Sequence, residues 1–472
     1  MKSSVTRPII AITLLVAAAA MGSWWWSLVC RFPSISWNDE RLAPAVALAK
    51  GLSVYPTASE GVINTWTYGP LPVLLFRPAA WVASAANALL VAAVINLALA
   101  VIPVALVCFA WPTSGENRHW SARAIACALC LALWPEGNYL YHLPDHLAIA
   151  CGLLGNLLLV RARRPIELWL AAGLVTAAIF CKQIAVGIPL AQVLWLAVTN
   201  GPRSGLLQAG RCMIAAVAIG GICTAIFGHA ALWFTLVELP SRFGWVSDPK
   251  QRFLSVWPDL LLHLGAPAVV MLIWRRPFSH GPLLLAALAW SCALPLGLAA
   301  LFKSGGRMNS IHSLLLWLPP VLATGLALSG RQSGTSALRM TAAASAALFA
   351  SWHVRDITAM VFTPQIASYE TAARLANSMR GRVWFPLHPL VTLFSENRYY
   401  HDEDGLFVRE LSRTPPTPEH LQAHLPPAMS VVALRANELT WGVAQRMLPT
   451  DAISTPAGEW QLWHAPTAAA RP

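Results

Sequence analysis

The chain has 472 residues, of which 56% are hydrophobic and only 11% charged, and its 33 Lys and Arg against 21 Asp and Glu give a formal net charge of +12. Water-soluble domains carry about 25% charged residues, so a soluble globular class is excluded. The positive charge is spread through short stretches between apolar runs, not gathered into a basic and aromatic surface, which argues against a nucleic-acid partner and fits membrane topology.

Apolar runs long enough to cross a hydrocarbon core of about 30 Å predict about eleven spans: 8–30, 84–111, 122–140, 146–160, 166–181, 184–199, 212–235, 259–274, 281–302, 311–329 and 338–362. The first is too long for a signal-peptide core and ends in Trp24-Trp25-Trp26, so it reads as an uncleaved span. Alternate connections hold Lys2/Arg7, Arg118/Arg123, Arg161/Arg163/Arg164, Arg203/Arg211, Arg275/Arg276 and Arg331/Arg339. Short loops rich in Lys and Arg face the cytoplasm. That orientation puts the N-terminus inside a bacterial-type inner membrane and the tail on the periplasmic side.

The opposite face carries the longer polar segments, beginning with a first external loop at 31–83. Asn38 or Asp39 can cap a helix that runs to Lys50, with Gly51 at its C-terminal turn. Leu42, Val46 and Ala49 form one apolar face suited to lying on the membrane surface. Asp39 and Glu40 either stabilise the helix N-terminus or supply a general base. Farther on, Asp145 and His146 open a span, as a helix start or as an acceptor or metal ligand. Lys182, beside Gln183, either satisfies helix carbonyls or binds an anion.

Arg242, Lys250, Arg252, Lys303 and Arg307 sit on this same face, against the sorting of basic residues. A lipid phosphate or pyrophosphate would compensate them, and Gly305-Gly306 would let backbone N–H groups approach it. Asn309 reads as a helix cap or a sugar contact, and His312 and His263 as hydrogen-bonded interior histidines or ligands. All nine cysteines lie in or beside apolar runs, and Cys127–Cys130 reads as a pair of packing thiols. The tail, 363–472, is polar and Pro-rich with no spanning run. Strand-like pieces (382–387, 430–434, 460–463) alternate there with helix-like ones (366–379, 418–424), predicting a small α/β domain. His401-Asp402-Glu403-Asp404 reads as a solvated turn before Gly405.

The order of motifs carries a resemblance. An acidic pair, a helix leading to Gly51-Leu52-Ser53-Val54-Tyr55-Pro56, and then Trp66-Thr67-Tyr68-Gly69-Pro70-Leu71 resemble the first external loop of the GT-C glycosyltransferases. Pro144-Asp145-His146, Lys182-Gln183 and Lys303-Ser304-Gly305-Gly306 extend the likeness over residues 1–330, with none for 364–472. It implies an α-helical polytopic membrane fold at 1–362 and inverting transfer of a sugar from a polyprenyl-phosphate donor to a glycan, lipid or protein acceptor. Asp39 would be the base, with Glu40 second; Lys182, Lys303 and Arg307, with Arg242 and Arg252, would hold the donor phosphate. Asp145 and His146 would meet acceptor or a divalent metal, and Tyr55, Tyr68, Asn309 and His312 would complete the site. The motifs name no cofactor with certainty and leave a divalent metal open. The rival, a flippase for lipid-linked oligosaccharides, calls for a polar path across the membrane and for repeats; the sequence shows neither.

Overall fold

The structure, a computed structural model, describes residues 36–112, 120–132, 143–257, 281–329, 366–436, 442–448 and 451–464. The expected spans 8–30, 259–274 and 338–362 lie outside the described residues. So do Arg118, Arg275, Arg276, Arg331, Arg339 and His263.

The chain is a polytopic helical membrane protein with a small α/β unit at its C-terminal end. A first helix, α1 (Ser36–Ala49), precedes the bundle. The bundle helices are α2 (Ala85–Ala110), α3 (Trp120–Ala132), α4 (Leu143–Arg161), α5 (Pro165–Ile179), α6 (Gly187–Asn200), α7 (Pro202–Phe227), α8 (Gly281–Leu301) and α9 (Leu318–Ser329). Among the described residues five stretches are long and apolar enough to span: α2, α4, α7, α8, and α6 with the 3-10 turn before it, Gln183–Asn200. Ser84 starts α2, its side chain accepting from the Asn87 N–H (3.3 Å).

Helix α4 is central, packed against α2 and α5 and buried along most of its length, whereas α7 exposes Leu206, Leu207, Met213, Ile214, Val217 and Ile222. In lipid an all-apolar outer face is the stable one. The expected span 311–329 is broken. Met308–Leu316 is a 3-10 helix and α9 starts only at Leu318. Pro319 and Pro320 cannot donate upstream, and their rings clash with carbonyls of the preceding turn, so a continuous α-helix cannot pass.

Interior polar side chains pair across helices. Gln192 donates to Asn156 Oδ1 (3.1 Å), Gln208 to Gln192 Oε1 (2.9 Å) and Arg211 to Gln208 Oε1 (3.2 Å), joining α4, α6 and α7. At the same end, Arg161 donates to the Ala110 carbonyl (3.3 Å) and Arg123 to the carbonyls of Phe109 and Trp111. The alternation of helices then gathers 50–83, 182–183, 238–252 and 303–309 at the opposite end.

The C-terminal unit contains α10 (Ile366–Ser378), α11 (Pro389–Ser395) and α12 (Glu403–Leu411). Its sheet of β1 (Val383–Trp384), β2 (Val431–Arg435), β3 (Ile453–Ala457) and β4 (Trp460–His464) has the order β1-β2-β4-β3. Strands β1 and β2 are parallel and the other pairs antiparallel, with Ala433 opposite Leu462.

This unit shares one apolar core with the first loop, where Leu42, Val46, Tyr55 and Trp66 meet Tyr369, Ala372, Phe385, Leu390 and Trp460. Two expectations are corrected by that docking. Helix α1 does not lie on the membrane surface: Leu42, Ala43, Val46 and Ala47 are buried, with α11 on one side and the Arg77–Trp81 turn on another. His401–Asp404 is not a solvated turn. All four residues are buried, and their backbone and side chains pair with the first loop. Ile63 N–H donates to His401 Nδ1 (2.8 Å), Asp402 N–H to the Ile63 carbonyl (3.1 Å), and Thr65 N–H to Asp402 Oδ2 (3.2 Å).

Candidate active site

Helix α1 already includes Asn38, Asp39 and Glu40, all fully buried, so neither Asn38 nor Asp39 is its N-cap. The carboxylates point to different partners, as neighbours on a helix must. Asp39 accepts from the Tyr369 hydroxyl, from His388 at Nδ1 (3.1 Å) and from the Leu390 backbone N–H (2.9 Å). Both of its oxygens are therefore engaged by the C-terminal unit. Glu40 accepts a long contact from the Asp404 N–H (3.4 Å), and its Oε2 has no hydrogen-bond partner among the described residues. Burial, then the negative charges of Asp402 and Asp404, push the Glu40 carboxyl well above the usual range.

Arg41 is the cation nearest this acidic group. It donates to the carbonyl and hydroxyl of Thr65 (2.8 Å each) and lies 3.9 Å from Asp404. Its guanidinium is 4.8 Å from the centre of the Tyr68 ring, and Lys182 Nζ is 5.8 Å from the same centre. Tyr68 thus stands between two cations. Its position is fixed by backbone stitching of Gly69 N–H to the Cys181 carbonyl (3.1 Å) and of Leu71 N–H to the Phe180 carbonyl (3.2 Å). A Cβ at residue 69 would lie 2.0 Å from the Phe180 carbonyl oxygen, so only glycine allows that approach. Tyr55 locks the turn from the other side, donating to the Tyr68 carbonyl (2.9 Å) and accepting from the Trp66 indole (3.0 Å).

Lys182 forms a buried ion pair with Asp145 and donates to the Asn309 carbonyl (2.9 Å), while the Asn309 amide reaches Asp145 Oδ2 (3.4 Å). Asn309 is thus a partner of the pair and not a helix cap. A cavity of about 20 Å³ beside the pair, lined by Ile149, Ile184, Ile188, Ser313 and Leu316, has room for one water. His146 is buried, its Nδ1 3.1 Å from Asn96 Oδ1, which ties α4 to α2. His312 is buried in the 3-10 segment next to Ser313.

The remaining predicted cations divide. Arg307 is exposed, with its guanidinium 5.3 Å from the Trp37 ring, which brings it to the start of α1. Lys303 donates to the Pro240 carbonyl (3.2 Å) and is 5.9 Å from the Trp245 ring. Gly306 has a structural reason for being glycine, since a Cβ there would sit 2.2 Å from the Ala300 carbonyl oxygen. Arg242 is exposed and paired with Glu238 (2.5 Å), one turn away. Arg252 is half-buried on the helical stretch 249–257. The structure thus assembles Glu40, Arg41, Tyr68, Lys182, Asp145 and Asn309, with Trp37 and Arg307 at the rim. Arg41, Tyr369 and His388 were missed by sequence reasoning. Arg41 was visible only as the residue following the acidic pair, and the other two carry no local signal.

His401 anchors the cover over this group and gives it a pH dependence. Burial lowers its pKa to about 3, and its Nδ1 must stay unprotonated to accept from Ile63 N–H. An undocked histidine titrates near 6.5, so acidification protonates the undocked form first and weakens docking. Glu40 and Asp402, both raised, act with the opposite sign. Comparison with His401→Asn, which keeps an acceptor but does not titrate, isolates the effect. Between pH 7 and 5.5 wild type should lose about 1.3 kcal/mol relative to that variant in thermal unfolding; a gap independent of pH would remove His401 from this role.

No family model and no curated protein matches the sequence. Solved structures do. The crystal structure of ArnT from Cupriavidus metallidurans bound to undecaprenyl phosphate aligns at a TM-score of 0.60 and 12% identity, over 97% of this chain and 99% of that one. The apo state of that protein gives 0.59 at 11% identity, over 95% and 97%. The apo oligosaccharyltransferase of Archaeoglobus fulgidus gives 0.40 at 12%, over 90% of this chain and 69% of that one. At these identities the likeness to ArnT is one of fold, and the chain has the GT-C fold.

Proposed function

We propose that the protein is an integral-membrane glycosyltransferase that moves a sugar from a polyprenyl-phosphate donor to an envelope glycan, lipid or protein acceptor on the periplasmic side of the inner membrane. The observation that carries this reading is the Glu40–Arg41–Tyr68–Lys182–Asp145 group, in which buried carboxyls and cations meet at one end of the bundle. The setting supports it: the fold matches, almost end to end, that of a protein solved with undecaprenyl phosphate bound.

In the proposed reaction the donor lipid lies in the bilayer with its phosphate at Lys182 and Arg41, and Arg307 and Lys303 at the rim. The acceptor hydroxyl gives its proton to a carboxylate of α1, and its oxygen bonds to the anomeric carbon from the face opposite the phosphate. The bond from that carbon to the phosphate oxygen breaks, and polyprenyl phosphate departs with the electron pair, its growing negative charge met by the cations. The configuration inverts. The resemblance points to Asp39 as the proton acceptor, but geometry favours Glu40. Both oxygens of Asp39 are already engaged, by three donors of the C-terminal unit. Glu40 has an oxygen, Oε2, with no hydrogen-bond partner among the described residues, which leaves it open to an acceptor hydroxyl.

The flippase reading has less support, because the charged side chains of the described bundle helices lie toward the helix ends, with Asp145 and Lys182 at one end and Arg123 and Arg161 at the other. The direct test uses purified full-length protein in proteoliposomes with radiolabelled polyprenyl-phosphate sugars and a mixture of envelope acceptors. Label is expected to leave the lipid for an acceptor with inverted anomeric configuration. Movement of intact labelled lipid between leaflets, without transfer, would establish the rival.

A further inference from the structure

The C-terminal unit has no motif of its own, yet among the described residues it supplies every hydrogen bond to the Asp39 carboxylate. Tyr369 comes from α10, and His388 and the Leu390 N–H from the start of α11. Tyr369 Oη is also 3.2 Å from His388 Nδ1, so the three side chains close a triangle. The His388 ring is fully buried and meets the rings of Trp460 (5.0 Å) and Tyr369 (5.8 Å) edge-on. Docking alone does not call for such a group. Leu390, Val391, Leu393, Ala372 and Ala376 already bury apolar surface at this interface, and a buried carboxylate–histidine pair costs desolvation that an apolar contact would not. What the polar triangle adds is direction, since hydrogen bonds to a carboxylate fix rotation and register where apolar packing tolerates slippage.

We propose that Tyr369 and His388 are positioning residues for sugar transfer: acting through Asp39, they set the rotation of α1, aim the adjacent Glu40 at the acceptor, and keep water from it. The inference rests on the transferase reading with Glu40 as proton acceptor. It assigns the C-terminal unit a role as the part that completes the active site.

The test compares wild type, Tyr369→Phe, His388→Asn and His388→Leu as full-length protein in proteoliposomes, measuring kcat, donor KM and the pH dependence of kcat. Asparagine keeps a donor where Nδ1 lies; leucine does not. Tyr369→Phe and His388→Leu should lower kcat roughly 10–100-fold with donor KM nearly unchanged. They should also move the acid limb of the profile to lower pH, because water reaching Glu40 eases its ionisation. His388→Asn should keep the wild-type limb. A structural role alone would reduce the amount of folded protein without moving the limb. Should His388→Leu fail to fold, Tyr369→Phe decides. If Tyr369→Phe keeps both kcat and limb while wild type transfers sugar, the positioning role is overturned and the transferase reading stands. If wild type itself transfers nothing, the transferase reading falls, and this inference with it.

Discussion

Replacing Glu40 with glutamine is expected to lower kcat by roughly 10²–10⁴-fold while making the protein more stable, not less. The two effects share one cause. Glu40 is fully buried, faces Asp402 and Asp404, and leaves one oxygen without a partner. A carboxyl in that position resists ionisation, so between the unfolded and the folded pKa the folded state holds a proton that the unfolded chain releases, and only above both is it the carboxylate that can accept one. The folded-state pKa is raised. Its contribution therefore favours folding least at high pH, and the disadvantage fades as pH falls toward 4.5. Glutamine removes the titration, so the gain in melting temperature of Glu40→Gln over wild type should grow from pH 5 to pH 8. Asp39→Asn should behave differently. It sets an amide against Tyr369 and His388, loosens the C-terminal unit and lowers stability. Full transfer by Glu40→Gln, beside an inactive but well-folded Asp39→Asn, would falsify the assignment of Glu40 and return the base to Asp39.

The second large effect is expected at the Asp145–Lys182 pair. Lys182→Met leaves Asp145 buried and uncompensated, which costs about 3–5 kcal/mol when one partner of a buried pair is removed. The double variant Asp145→Asn, Lys182→Met removes both charges and should recover most of that loss, since a buried pair is often no better than a neutral replacement. Sugar transfer should not recover. If Lys182 steadies the leaving phosphate, the double variant remains roughly 10²–10³-fold slower than wild type. Recovery of both stability and turnover would show that the pair serves packing alone.

Much of the helical scaffold was legible because lipid imposes a simple rule. The apolar run 84–111 became Ala85–Ala110, and the strand-like and helix-like pieces of the tail became β1, β2, β4 and α10. Periodicity showed that Leu42 and Val46 share a face, but not what covers it. The tail supplies that cover through contacts of more than 300 residues in sequence separation, which no local pattern encodes. The same gap explains His401–Asp404. Four polar residues in a row signal solvent unless another segment brings partners, and here Ile63 and Thr65 bring them. At the site, the gathering of Lys182, Asp145 and Asn309 was foreshadowed by unusual polar residues at the ends of spans. Arg242 looked equivalent in sequence, but Glu238 four residues earlier already neutralises it.

The Tyr369–Asp39 bond joins residues 330 positions apart, and that distance sets a clock on biogenesis. At roughly 5–20 residues per second of synthesis, about 15–70 s separate the emergence of Asp39 from that of its tyrosine. During that interval α1 and its carboxylates are already made but uncapped. Under the proposed function the protein thereby stays idle until its last quarter has been translated and has folded back onto its beginning.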